Sequence, residues 1–392
     1  MPSLSYQTAG ESHGPACLAP VVGLPAGVPI DLDLINSELA RRQGGYGRGG
    51  RQRIETDRAE FLSGVRLGKT IGSPVTMLVK NKDSRLDDLE RTPPVHRPRP
   101  GHADLAGAIK WLTTDCRETL ERASARETAS RVAAGSLTKC FLRELGIEVV
   151  GFVRAIGGDA TDVEVTEDNY ERIIDKRNAS DVYCPDEAAS ERQRAIIRQA
   201  KIDKDTVGGL VEAHVFGCPL GLGSSMDWRD KLDSRIAAAV MGIQAFKAVE
   251  IGLGKDVAGL TGSKVHDPIG HDPARVDRPS LGFTRPSNNA GGLEGGMTNG
   301  MPVVVTGTMK PISTLLRGLP SVSLQTLEAE DSQYERSDIC AVSAASVVME
   351  NVVAFEIARA ALDKFGGDSL AETRANMDSY LRQAREVLSR GR

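Results

Sequence analysis

The sequence is short of several things that decide what a chain can do. Its six cysteines, Cys17, Cys116, Cys140, Cys184, Cys218 and Cys340, are scattered without any C-x-x-C pair, which argues against a zinc ribbon or a disulfide framework and predicts a reduced, cytoplasmic setting. No run approaches the ~18 apolar residues that span a bilayer. The N-terminus also lacks a basic region followed by an apolar run, so no membrane partner is expected. Charge of one sign is scarce: 49 Lys and Arg face 53 Asp and Glu, a net charge of −4. That balance argues against a general attraction to nucleic acid, and any basic cluster must work locally on small anions. Among six histidines, His266 and His271 sit in a Gly/Pro-rich loop at a spacing that suits neither helical nor strand metal ligation, and no metal is expected. Aromatic residues make up 4%.

What is present suits a large folded core. The 392 residues are 40% apolar and 26% charged, enough for one large domain or two modest ones. Apolar periodicity and end signals predict helices over 31–42, 104–145 with a break at 122–124, 186–201, 231–250, 338–364 and 369–388, with strands between them. Asp31 or Asp33 is the expected cap of the first. Three strand regions open alike: "TIGSPVTMLVKN" from Thr70, "TVGGLVEAHVFG" from Thr206 and "TNGMPVVVTGTM" from Thr298. They read as an internal repeat, in which related halves share one core; the alternative is that Gly-rich turns before strands resemble one another by chance.

Two histidines stand out by their company. "TAGESHGPA" sets His13 between glycines with Ser12 beside it, and "RPRPGHAD" puts His102 after Gly101 on a proline-stiffened connector with Arg97 and Arg99, just before a helix. Glycine permits close approach of a ligand, and a helix entrance favours an anion. A histidine among arginines is expected to lose its proton more readily when empty and hold it when a dianion binds, which suits a proton donor to a leaving phosphate.

The loop "RRQGGYGRGGRQR", 41–53, matches G-x-G-x-x-G at Gly45, Gly47 and Gly50. A dinucleotide fingerprint must follow a strand and open a helix, whereas this one follows a helix and leads into an alternating stretch. It reads instead as an anion-binding element carrying Arg42 and Arg48. The rival class is a non-catalytic anion- or RNA-binding protein built round the same Arg/Gly loop, although RNA-binding segments of that kind are long and disordered. "ERASARETASR" adds Arg122, Arg126 and Arg131 with small residues between them, read as a helix-start contact to a phosphate or ring.

Taken together, "AGESHG", "RRQGGYGRGGR", "RPRPGHAD", "ERASARETASRVAAG", "AVMGIQAFKAVEIG", "NNAGGLEGGMTNG", "MKPISTL" and "RSDICAV" resemble the signatures of chorismate synthases, in order and across essentially the whole chain. The resemblance implies an α+β fold: a single-domain β-α-β sandwich over residues 1–392, with an internal pseudo-repeat, assembled as a homotetramer. It implies a lyase that takes 5-enolpyruvylshikimate 3-phosphate to chorismate and phosphate with reduced FMN, with NADPH as an indirect reductant in some relatives. Both ligands carry phosphate, which accounts for the basic entrances.

Position by position, the resemblance makes His13 the donor to the departing phosphate, places His102 near the reduced flavin, and gives Asp338 a proton at the flavin N5. Cofactor contacts fall on Arg122, Ala123, Ser124, Gln244, Ala245, Gly295, Lys310, Pro311, Ile312, Ser313, Thr314 and Arg336. Arg42 and Arg48 match positions assigned to NADP, yet could equally hold substrate phosphate and carboxylates together with Ser12 and Arg126. The substrate role is preferred, because neither a strand nor a second nucleotide motif accompanies them. Segment 81–96 is shorter than in some relatives, which puts that loop alone in doubt.

Overall fold

The computed structural model describes residues 3–49, 56–335 and 337–389. Two antiparallel sheets enclose a layer of helices. The first sheet runs in the spatial order Ser5–Tyr6, Ala16–Val22, Val75–Lys80, Ala59–Ser63. The second runs Phe246–Ile251, Val303–Met309, Gly209–Phe216, Glu148–Ile156, Asp159–Ala160. Alternation decides which way each sheet faces: Cys17, Ala19 and Val21, then Val75, Met77 and Val79, then Val303, Val305 and Met309 are all buried on one side.

Those faces pack on two long helices, Thr128–Arg143 against the first sheet and Val342–Phe365 against the second, and the helices pack on each other. Each half of the chain thus supplies one sheet and one long helix that follows it. This is the α+β, β-α-β sandwich that the resemblance implied. All three T-x-G stretches open onto strands, and the second and third lie side by side, with Val303 opposite Val215.

The two central helices meet closely because Gly135 has no side chain. A Cβ there would lie 2.2 Å from the Asn351 carbonyl oxygen, so even alanine would force the helices apart. Beside that contact sits a buried ionic knot. Glu350 accepts from Lys139 Nζ at 2.5 Å, Arg41 Nη2 at 3.0 Å and Arg177 Nη1 at 3.1 Å. Burial raises the Glu350 pKa, but the three cations outweigh it and hold the carboxyl well below the usual range. The knot joins helix Leu32–Gln43 to both central helices at the foot of the 44–49 loop.

Several sequence expectations need correction. The 231–250 helix ends at Met241; Gly242 caps it, Ala245 takes φ +67°, and Phe246–Ile251 becomes an edge strand. The 104–145 stretch is broken twice, at 111–116 as well as after Arg122, into Asp104–Lys110, Arg117–Arg122 and Thr128–Arg143. The helix predicted from 338 starts at Val342. Helix Tyr170–Ala179 was not foreseen, because "YERIIDKRNA" is mostly polar; it covers the outer face of the second sheet. Asp31 is the cap of the first helix, as expected, accepting from Leu34 N at 2.8 Å. The strand-like reading of the stretch after Gly50 falls largely on 50–55, outside the described residues.

Candidate active site

His13 lies in the turn before strand Ala16–Val22, and its ring is held by a residue far along the chain. Its Nδ1 is 2.8 Å from Glu121 Oε1, and its backbone N–H donates to Glu121 Oε2 at 2.8 Å. Burial raises the Glu121 pKa, but the His13 hydrogen bonds and the Arg117 charge outweigh it and keep the carboxyl ionised below its usual range. An ionised carboxylate only accepts, so Nδ1 carries the proton and Nε2 faces the other way. Opposite Nε2 stand Arg85 Nη2 at 3.4 Å and Asp83 Oδ2 at 3.8 Å. The expectation of a histidine among arginines alone is therefore revised: carboxylates flank it as closely as cations do.

His102 is held locally. Asp104, the first residue of helix Asp104–Lys110, takes His102 Nδ1 at 2.5 Å on Oδ1 and Arg99 Nε at 2.8 Å on Oδ2. Arg99 also reaches Thr314 Oγ1 at 3.1 Å. Burial works against the Asp104 charge, but the His102 and Arg99 bonds prevail and hold its pKa far below the ordinary value.

A line of contacts joins the two histidines. Lys310 Nζ donates to the Gly101 carbonyl at 2.6 Å, and Lys310 N–H to the Ala245 carbonyl at 2.9 Å. Next to Ala245, Gln244 Nε2 donates to Glu127 at 2.9 Å, and Thr8 donates to the same carboxylate at 2.7 Å. Arg122 reaches Thr8 at 2.8 Å, and Ser124 Oγ meets Ser12 Oγ at 3.0 Å beside His13. An open groove of about 400 Å³ touches this path at Arg122, lined by Trp111, Glu118, Thr119, Arg122 and Ala123. A larger depression of about 520 Å³, lined by Val163, Lys176 and Pro185 to Ala188, contains none of these residues.

Not every candidate joins the path. Arg42 and Arg126 are buried together on Asp57, at 2.5 and 2.6 Å. The two guanidinium charges overcome burial and keep the Asp57 pKa low. Arg48 pairs with Asp338 at 3.2 Å, and Asp338 also accepts from Gly49 N–H at 2.6 Å. Arg48 Nη1 is buried with no hydrogen-bond partner among the described residues. Gly295 stands apart at the turn of hairpin Leu293–Thr298, where its nearest neighbours are Ser225 and Met297. Pro311 and Ser313 follow Lys310, and the Ile312 carbonyl accepts from Thr206. Arg336 lies outside the described residues. Glu121, Asp104, Asp57, Asp83, Arg85 and Glu127 escaped the sequence reading, although an acid two residues after His102 was a local signal.

A family model described as chorismate synthase matches residues 4–362. The chain is 53% identical over 393 residues to the chorismate synthase of Geobacter sulfurreducens, covering 97% of this chain and 99% of that protein. It is 50% identical to that of Desulforamulus reducens, covering 98% of this chain and all of that one. The chain belongs to the chorismate synthase family. A crystal structure of a chorismate synthase superposes with a TM-score of 0.78 at 39% identity, over 98% of this chain and 99% of the other. Family membership makes the chain a lyase of the shikimate pathway, converting 5-enolpyruvylshikimate 3-phosphate to chorismate and phosphate on the way to aromatic compounds. Among the described residues no helix is long and apolar enough to cross a membrane, and no group of three His, Cys, Asp or Glu side chains could hold a metal.

Proposed function

We propose that His13 protonates the departing phosphate and that the path from Ser124 through Gln244 and Ala245 to Lys310 and His102 receives reduced FMN. The observation that carries this reading is a pair of histidines, each with Nδ1 fixed by a buried carboxylate, at the two ends of one line of contacts. FMN fits the residues present. Gln244 Oε1 is buried without a hydrogen-bond partner among the described residues, ready to accept from a ring N–H. Lys310 is made easier to deprotonate by burial and by Lys247, and a nearby anion would counter both effects. When bound, reduced FMN supplies transient electron density to the substrate, restored as the C6 hydrogen leaves.

The chain's own part is binding, proton placement and exclusion of water. Arg85 and Arg48 bring cations to the substrate's phosphate and carboxylates, and Asp338 is assigned to proton exchange at the cofactor. Arg42, 3% exposed and paired with Asp57, supports a structural part rather than a dinucleotide contact. We therefore favour a cytoplasmic, single-domain homotetramer that uses FMN reduced elsewhere. The test is anaerobic: supply substrate, FMN and NADPH, follow chorismate, then add dithionite. Turnover only after dithionite supports this reading, and sustained turnover before it makes the chain its own reductase. With dithionite present, His13→Ala and His102→Ala are each expected to lower kcat about a hundredfold or more. Near-normal rates in both would sink the assignment.

A further inference from the structure

Resting on the reading of His13 as the acid, we infer that Glu121 is its positioning residue, fixing the ring so that Nε2 and not Nδ1 meets the departing phosphate oxygen. Two observations carry this beyond an ordinary ion pair. Glu121 binds His13 twice, through the ring and through the backbone N–H, at 2.8 Å each, so ring rotation and loop position are set by one carboxylate. The Glu121 side chain is also 1% exposed, too enclosed to touch substrate.

The surroundings leave Nε2 as the working nitrogen. It faces Arg85 and Asp83 from the 81–86 segment, with Arg91 behind at 3.6 Å from Asp83. On the other side Arg117, from Glu121's own helix, stands 3.5 Å from that carboxylate and is shared with Glu335. Glu11 lies in His13's own turn, next to Gly14. In the reaction the Nε2 proton passes to the bridging oxygen as the C–O bond breaks, and the bond pair leaves with phosphate. The C6–H pair forms the C1–C6 double bond, the C1–C2 pair shifts to C2–C3 as phosphate leaves C3, and the proton released at C6 balances the one spent. His13 is left neutral with its remaining proton on Nδ1, already bonded to Glu121, so no ring flip is required before solvent reprotonates Nε2.

The test reads the tautomer directly. In 15N-histidine-labelled, ligand-free protein, the signal lost in His13→Ala assigns the ring. Wild type should show the proton on Nδ1 in its neutral form, and Glu121→Gln, whose amide can donate as well as accept, should mix the two tautomers. In the same variant kcat should fall about tenfold or more with KM within about twofold, and the alkaline limb of the kcat–pH profile should move to lower pH. Glu121→Asp should recover part of the rate and keep the Nδ1–H tautomer, and it decides the question should Glu121→Gln fail to fold. Wild-type tautomer and kcat in Glu121→Gln, with His13→Ala inactive, would overturn this inference alone. An active His13→Ala would overturn the acid reading beneath it.

Discussion

The two histidine stations look alike in sequence and differ in how their charge is balanced. Both rings hand Nδ1 to a buried carboxylate. At His102 that carboxylate is already committed to Arg99, whose guanidinium donates to both of its oxygens and whose backbone N–H donates to Oδ2 as well. At His13 the carboxylate gives both oxygens to the histidine itself, and the closest cation, Arg117 at 3.5 Å, is shared with Glu335. The Glu121 carboxylate is therefore engaged chiefly by His13, whereas the Asp104 carboxylate is shared between His102 and Arg99. The lesson is that a glycine–histidine motif near arginines specifies a place, and the acid behind the ring specifies the job.

The sharpest way to break this comparison is to remove each acid and ask what fails. Asp104→Ala leaves Arg99 buried and unpaired, so unfolding in urea should show a loss of about 3–5 kcal/mol, together with lost activity. Glu121→Gln should spare most of the stability. Equal destabilisation in the two variants would erase the distinction.

A smaller effect is expected at the face opposite His13. Arg85→Ala removes a cation 3.4 Å from Nε2, and the KM for the phosphorylated substrate should rise about tenfold, as for one lost charge-assisted hydrogen bond. The rise should shrink as salt is added. A change in kcat with KM untouched would count against substrate binding at Arg85.

The smallest effect comes from a third pair that serves as a control. On the second sheet, His214 Nε2 is 2.6 Å from Glu212, and Arg154 grips the same carboxylate at 2.6 and 2.8 Å, a histidine and an arginine sharing one carboxylate as at His102 but away from the contact path. Burial raises the Glu212 pKa, but His214 and Arg154 bring it to about 2 from an ordinary 4.5. A depressed folded pKa means stability that is full above 4.5 and lost as pH falls towards 2. The urea midpoint of wild type should thus fall more steeply between those values than that of Glu212→Gln, whose kcat stays normal at neutral pH. Parallel curves would refute the ionic account of this pair.

Local signals made much of this legible. Asp31 marked the first helix, the T-x-G stretches marked the strands Val75–Lys80, Gly209–Phe216 and Val303–Met309, and the motifs around His13, His102, Arg122 and Lys310 fell on the contact path, whereas those around Arg48 and Gly295 did not. What was hidden depended on tertiary neighbours. Nothing in "MGIQAFKAVEIG" reveals that Ala245 turns left-handed and sends the chain into an edge strand. Arg42 looked like a surface ligand because its partner, Asp57, comes from the far side of a loop. Glu121 sits in an arginine-rich run that drew the eye to its cations.

The span of each histidine's tether has a consequence for assembly. His102 and Asp104 are two positions apart, whereas His13 and Glu121 close a loop of 108. The shorter clasp needs only one helix entrance, and it can survive local opening of the sheet. The longer one costs more chain entropy and forms once the N-terminal turn has docked on helix Arg117–Arg122. Fraying of the first sheet would therefore disarm the proton donor while leaving the other histidine in place, so a partly opened molecule would fail to release phosphate.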